Sequence, residues 1–252
     1  MNIVLFADNY VGLKCIEFVI KTYINDIAYI VITDKNSLVY EYLDLIKFDQ
    51  NKILIYSDSI HNILIKDKVQ FDYFLLLWWP FILKQEVFSI PRFGSINTHP
   101  SLLPFNRGKH YNFWNIVEDV PFGVSLHFID QGIDSGDVIF QKKIDKSWED
   151  NGKTLYNKAQ NAMIELFEDS YFKLVNMEYI RQKQNIQSGS FHHAKELEFA
   201  SEIHLEKKYT AKELLNVLRA RTFTGNPSCW FEEEGEVYEV RIEIKKRLND
   251  TK

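Results

Sequence analysis

Apolar residues come in short runs separated by amphipathic stretches through the first third of the chain. IVLF (3–6), AYIVI (28–32), ILIY (53–56) and DYFLLLWW (72–79) read as strands, and the segments near 11–23, 38–48 and 59–66 read as helices. Strand and helix alternating in this way is what βαβ units feeding a parallel sheet produce, and the unbroken run Leu75, Leu76, Leu77 suits a strand buried on both faces. Pro80 then breaks the chain, a short helix near 83–89 stops before Pro91, and 93–97 predicts a further strand. GVSLHFI (123–129) alternates with period two and VIFQKKI (138–144) predicts another strand, with the turn DQGIDSGD between them. The longest helical pattern covers 153–178, where Leu155, Ala159, Met163, Leu166 and Phe167 recur at spacings of three or four.

From residue 181 the chain reads RQKQNIQSGSFHH, which predicts a linker or excursion. A helix near 210–221 follows, opened by Thr210 with Glu213 three residues on in capping-box spacing. CWF and VYEVRIEI, joined by EEEGE, predict a β-hairpin. The fold class expected is α/β, with a Rossmann-like, mainly parallel sheet carrying helices on both faces. To it is appended a small C-terminal α+β unit ending in a β-hairpin, and the expected division is 1–185 and 186–252.

Charge narrows the partners. Of 252 residues 46% are apolar, enough for a sizeable core, and the net charge of −5 argues against a nucleic-acid backbone as partner. Lys245, Lys246 and Arg247 read as a solvated end. No uncharged stretch approaches the ~18 residues of a membrane span, and charges at Asp8, Lys14 and Glu17 make the N-terminus a strand and helix, not a signal peptide. Cys15 and Cys229 form neither a disulfide framework nor a metal pattern, so a cytoplasmic, metal-free protein is expected. His192 and His193 have no further ligands at useful spacing and read as a surface pair. A dinucleotide site is disfavoured because ADNYVG after the first strand lacks the G-x-G-x-x-G turn.

The chemistry concentrates in GSINTHPSLLPFNRGKHYNFW (94–114). In extended backbone residues two apart point the same way, so Asn97 and His99 project together, and Pro100 holds His99 extended. One reading is acyl-group handling, with the amide donating to a developing oxyanion and the imidazole accepting a proton. The plainer reading is a satisfied turn in which Asn97 caps backbone groups and His99 is structural.

The wider pattern, SINTHPSLLPFNRG followed by GIDSGD, resembles the N10-formyltetrahydrofolate-dependent formyltransferases, and within them most nearly the sugar N-formyltransferases. The resemblance is carried by residues 70–145. It implies Asn97, His99 and Asp134 as catalytic residues, with Asp134 orienting or stabilising the imidazole, although an Asp beside Gly is also an ordinary turn residue. It implies N10-formyltetrahydrofolate as cofactor, held by Trp79, Pro80, Phe81, Ile82, Asp130, Gly132 and Ile133, while Trp78 is expected in the core. A nucleotide sugar would meet Asn9, Tyr10, Arg107, Lys109, His110 and Tyr111. The expected reaction is formylation of a nucleotide-linked amino sugar, with dTDP-4-amino-4,6-dideoxyglucose the first choice, by a homodimer assembled through the C-terminal hairpin. Methionyl-tRNA formylation is disfavoured by the acidic charge and short C-terminal unit, and a nucleotide-sugar binder without turnover remains the alternative.

Overall fold

Residues 1–66 and 69–247 are described by a computed structural model of the protein. β1 (Ile3–Ala7) leads into α1 (Asn9–Tyr23), β2 (Ile27–Ile32) into α2 (Leu38–Leu45), and β3 (Ile53–Ile55) into α3 (Ile60–Lys66). β4 (Tyr73–Leu77) leads into the short α4 (Gln85–Phe88), followed by β5 (Ser95–His99), the two-residue β6 (Arg107–Gly108) and α5 (Tyr111–Val117). β7 (Phe122–Phe128), β8 (Val138–Ile144) and α6 (Gly152–Val175) complete the larger unit. Beyond them lie β9 (Phe191–His192), α7 (Glu196–Ser201), α8 (Ala211–Arg221), and the hairpin β10 (Cys229–Glu233) and β11 (Glu236–Val240). The last five residues of the expected C-terminal unit, 248–252, lie outside the described residues.

The main sheet runs β3-β2-β1-β4-β5-β7-β8, its first five strands parallel and the last two antiparallel. β4 is buried along its whole length, and its side chains divide between two cores. Tyr73, Leu75 and Leu77 join the larger cluster, with residues from α1, α2, α5 and α6; Phe74 and Leu76 join the smaller, with residues from α3 and α4. Alternation across the pleat therefore puts helices on both faces, and burying each such leucine contributes roughly 1.5–3 kcal/mol. The strand order reverses between β1 and β4, the crevice where open α/β sheets take ligands.

Several boundaries move for identifiable reasons. The strand expected to continue to Trp79 ends at Leu77, because Trp78 adopts φ +55° and the Thr98 hydroxyl captures its amide at 2.7 Å. The strand expected over 93–97 runs instead from Ser95 to His99, since Gly94 turns at φ +109° and His99 still pairs with Ser125 of β7. The second hairpin strand stops at Val240, short of the expected RIEI. α5 and α7 were not foreseen.

The segment from 181 is stitched to the larger unit instead of hanging free. Gln182 bridges Val138, and β9 pairs in parallel with β6. Gly108 permits that pairing, because a Cβ there would stand 2.3 Å from the His192 carbonyl oxygen. On the other side Arg219 of α8 donates to the carbonyls of Ser147 and Asp150. Thr210 and Glu213 form the capping box that their spacing predicts.

Candidate active site

A cleft of about 810 Å³ opens at the carboxyl ends of β1, β4 and β5. Asn97 and His99 rise from β5 into it, and antiparallel pairing with β7 sets His127 directly opposite Asn97. Asp134 enters from the turn after β7, at φ +51°. Its Oδ2 lies 3.3 Å from His99 Nδ1 and accepts the Gly108 amide at 2.9 Å, while Oδ1 lies 3.5 Å from His127 Nε2. The Asn97 amide nitrogen is 3.4 Å from both Asp134 Oδ1 and His127 Nε2. Asn97 and His99, two residues apart, thus converge with Asp134 from a distant turn and with His127, which the sequence reading did not single out.

The imidazole of His99 is 4% exposed and bonded at both nitrogens. Its Nε2 lies 3.2 Å from the Asn106 carbonyl oxygen and its Nδ1 faces the Asp134 carboxylate; both partners only accept, so they compete for the one proton of the neutral ring, and both bonds are complete only in the imidazolium. Burial lowers the pKa of His99, and the neighbouring Asp134 carboxylate only partly offsets it. Burial pushes Asp134 the other way, but His99, His127 and the Gly108 amide prevail and hold its carboxyl well below the usual range. The pair is therefore a carboxylate facing a neutral imidazole near neutrality, ready to stabilise the imidazolium.

Most of the expected ligand residues surround this centre. Trp79, Pro80, Phe81 and Ile82 form one wall; Asp130, Gly132 and Ile133 form the turn opposite; and Asn9, Lys109, His110 and Tyr111 also line the cleft. Tyr10 and Arg107 lie outside it. Tyr10 is 44% exposed beside Lys14 on α1, and Arg107 is spent in β6, its guanidinium over Phe191. Trp79 reaches the cleft as expected, and Trp78, expected in the core, lines it as well. Because the chain turns at Trp78, Trp79 packs in the smaller core against Phe6 and Tyr56, touching the cleft at its edge, whereas Trp78 lines the cleft against Tyr111 and Tyr156.

The Asp130 carboxylate ties its own turn by accepting from the Gly132 amide and the Ser135 hydroxyl. Behind that turn the Gln184 side-chain amide donates to the carbonyls of Asp134 and Gly136 at 3.0 and 2.7 Å. No local motif marks Gln184, which sits in the polar stretch. His192 is not the surface residue expected: it stacks on Trp114 at 3.7 Å and is bonded to Glu118 and Glu196. Among the described residues no group of three or more His, Cys, Asp or Glu is disposed to hold a metal ion, and no helix is long and apolar enough to cross a membrane.

Residues 50–169 match the Formyl transferase family, and residues 196–246 match the N-formyltransferase dimerization C-terminal domain. The chain is similar to a 4-N formyltransferase from Francisella tularensis, with a TM-score of 0.80, 25% identity, and 97% of this chain and 98% of that one covered. An N-formyltransferase from Helicobacter canadensis, solved with folinic acid and dTDP-3-aminofucose, shares the fold at a TM-score of 0.70 and 22% identity, over 93% and 85% of the two chains. Among curated relatives, methionyl-tRNA formyltransferase of Caldanaerobacter subterraneus subsp. tengcongensis is 27% identical over 160 residues, 63% of this chain and 50% of that protein. The chain spans about half the length of the curated relatives it matches. With the β5 motif, the Asp134 turn and both domains present, the chain belongs to the formyltransferase family.

Proposed function

We propose that this protein transfers a formyl group from N10-formyltetrahydrofolate to the amine of a nucleotide-linked amino sugar, with dTDP-4-amino-4,6-dideoxyglucose as acceptor. The observation that carries this reading is the convergence of Asn97, His99 and Asp134 in a single cleft. The amino-sugar acceptor is supported by the near full-length likeness to a 4-N formyltransferase and by the net charge of −5, which is unsuited to a tRNA backbone. At about 810 Å³ the cleft lies toward the upper end of the ~300–1,000 Å³ usual for small-molecule sites, room for a flat carrier and a sugar nucleotide together.

In this reading the His99 imidazole takes a proton from the attacking amine, and Asp134 stabilises the imidazolium so formed. Asn97 donates to the formyl oxygen as it gains charge, giving up one of its two long ground-state contacts to do so. The folate supplies the activated formyl group and a nitrogen leaving group. The loop Trp79–Ile82 and the turn bearing Asp130, Gly132 and Ile133 hold it, partly through backbone groups, while Asn9, Lys109, His110 and Tyr111 take the sugar nucleotide. Residues 1–185 form the catalytic unit, and 186–252 join two copies through the hairpin, whose Val237 and Tyr238 are 62% and 48% exposed in the single chain.

The test is incubation with N10-formyltetrahydrofolate and a panel of nucleotide-linked amino sugars, with methionyl-tRNA as a further arm, read by mass spectrometry. A gain of one carbonyl unit on a dTDP-linked 4-amino sugar is expected. Product on methionyl-tRNA alone, or heat of sugar-nucleotide binding without product, would overturn the proposal.

A further inference from the structure

Behind His99 lies a second polar cluster that the transfer chemistry does not use. The Asn106 carbonyl that fixes His99 Nε2 belongs to a fully buried residue at φ +51°. Its side chain and backbone are held from outside the loop, with the Glu118 carboxylate at the centre. Oε2 of Glu118 accepts from the Asn106 side-chain amide at 2.7 Å and from the Ser190 hydroxyl at 2.7 Å, and that same hydroxyl accepts the Asn106 backbone amide at 3.0 Å. A second amide, from Asn115, donates to Asn106 Oδ1 at 3.2 Å. Every polar atom of Asn106 is thereby bonded, which leaves its carbonyl one direction in which to point.

The cluster continues outward. Oε1 of Glu118 meets His192 Nε2 at 2.6 Å, and His192 Nδ1 meets Glu196 Oε2 at 2.9 Å. Both ring nitrogens of His192 thus face carboxylates, and the ring is further fixed by its stack on Trp114. Glu196 is the first residue of α7 and of the segment that matches the dimerization domain. An unbroken chain of hydrogen bonds therefore runs from that domain to the imidazole in the cleft.

We propose that Glu118 is a positioning residue for the His99 imidazole, acting through the Asn106 carbonyl, and that His192 couples this clamp to the C-terminal domain. The inference rests on the reading of His99 as the base. With the clamp closed, the Asn106 carbonyl is held where it accepts from Nε2–H, and the imidazolium is bonded at both nitrogens. With it open, the acceptor drifts, the share of the Nε2–H tautomer falls, and the protonated form loses a stabilising bond. The other groups that face His99, Asp134, His127, Lys109 and Tyr111, are left unaltered.

The decisive measurement needs no substrate. Two-bond ¹H–¹⁵N spectra of ¹⁵N-histidine-labelled protein report the tautomer and titration of each imidazole, with His99 assigned by its loss in His99→Gln. In Glu118→Gln, and in His192→Phe, which keeps the stack on Trp114, a smaller share of the Nε2–H tautomer of His99 than in the wild type and a lower titration midpoint are expected. Turnover is expected to fall about tenfold in each with KM for both substrates within about twofold, the loss of one bond to a charged group. Should these variants fail to fold, Ser190→Ala, which removes the hydroxyl bonded to both Glu118 and Asn106 and leaves those two side chains in place, is expected to move the spectrum the same way. An unchanged His99 spectrum across the folded variants overturns the inference. A changed His99 spectrum in the variants, with a wild-type protein that formylates none of the acceptors, leaves the clamp standing and overturns the functional reading instead.

Discussion

The floor of the cleft and the terminal hairpin are both short β-structure rich in aromatic and polar residues, yet they satisfy their side chains in opposite ways. On β5 and β7 the polar residues Thr98, His99, Ser125 and His127 are buried, and each is bonded within the chain. On β11 the apolar Val237 and Tyr238 stand in solvent, while of the facing strand only Cys229 is fully covered. Water has been removed from the polar region and left around the apolar one. Buried polar groups persist only where partners are supplied, so the cleft floor is complete in one copy, whereas the hairpin leaves apolar surface uncovered in one copy, the surface on which the proposed dimer depends.

Breaking the floor should cost turnover and spare assembly. His99→Ala is expected to lower kcat by roughly 10²–10⁴ and Asn97→Ala by roughly 10²–10³, with sugar-nucleotide binding by calorimetry largely retained and the light-scattering mass unchanged. Near-normal rates in either would remove the assigned roles. Gln184→Ala should cost about tenfold, because the turn bearing Asp134 loses two backbone anchors without losing a reacting group. A pH profile sharpens the contrast. Because burial depresses His99, the neutral base survives below the ordinary imidazole midpoint, so the acidic limb of kcat/KM is expected below about pH 6.5. The hairpin strands carry no histidine, and oligomeric mass should stay constant between about pH 5.5 and 8. The smallest effect on turnover is expected from Val237→Glu with Tyr238→Glu, within about threefold, although the pair should convert a dimer to a monomer in light scattering. A monomeric wild type would show instead that the hairpin has no such partner.

What could be read beforehand divides along the same line. The alternation of apolar runs marked β1 to β4, since strands buried on both faces, as β1 and β4 are, carry that fact locally in their patterns. Asn97 and His99 were legible because their relation is two residues of extended chain, and Asp134 because it sits in a turn with a recognisable glycine pattern. His127 was not: β7 is buried throughout, so its period-two appearance marks no solvent face, and the link to Asn97 exists only once β5 and β7 pair. Trp78 and Trp79 could not be ordered without the positive φ at Trp78. Glu118, Ser190 and Gln184 act across 48 to 74 residues of intervening chain, a range over which local periodicity is silent.

The stitching of 182–192 onto the larger unit bears on any attempt at modular exchange. A fusion junction set at the polar stretch, where composition invites one, would part Gln184 from the turn it backs and Ser190 from Asn106. Tails swapped between relatives should therefore be joined after His192, so that the graft carries the assembling surface and leaves the supports of the catalytic turn with their own sheet.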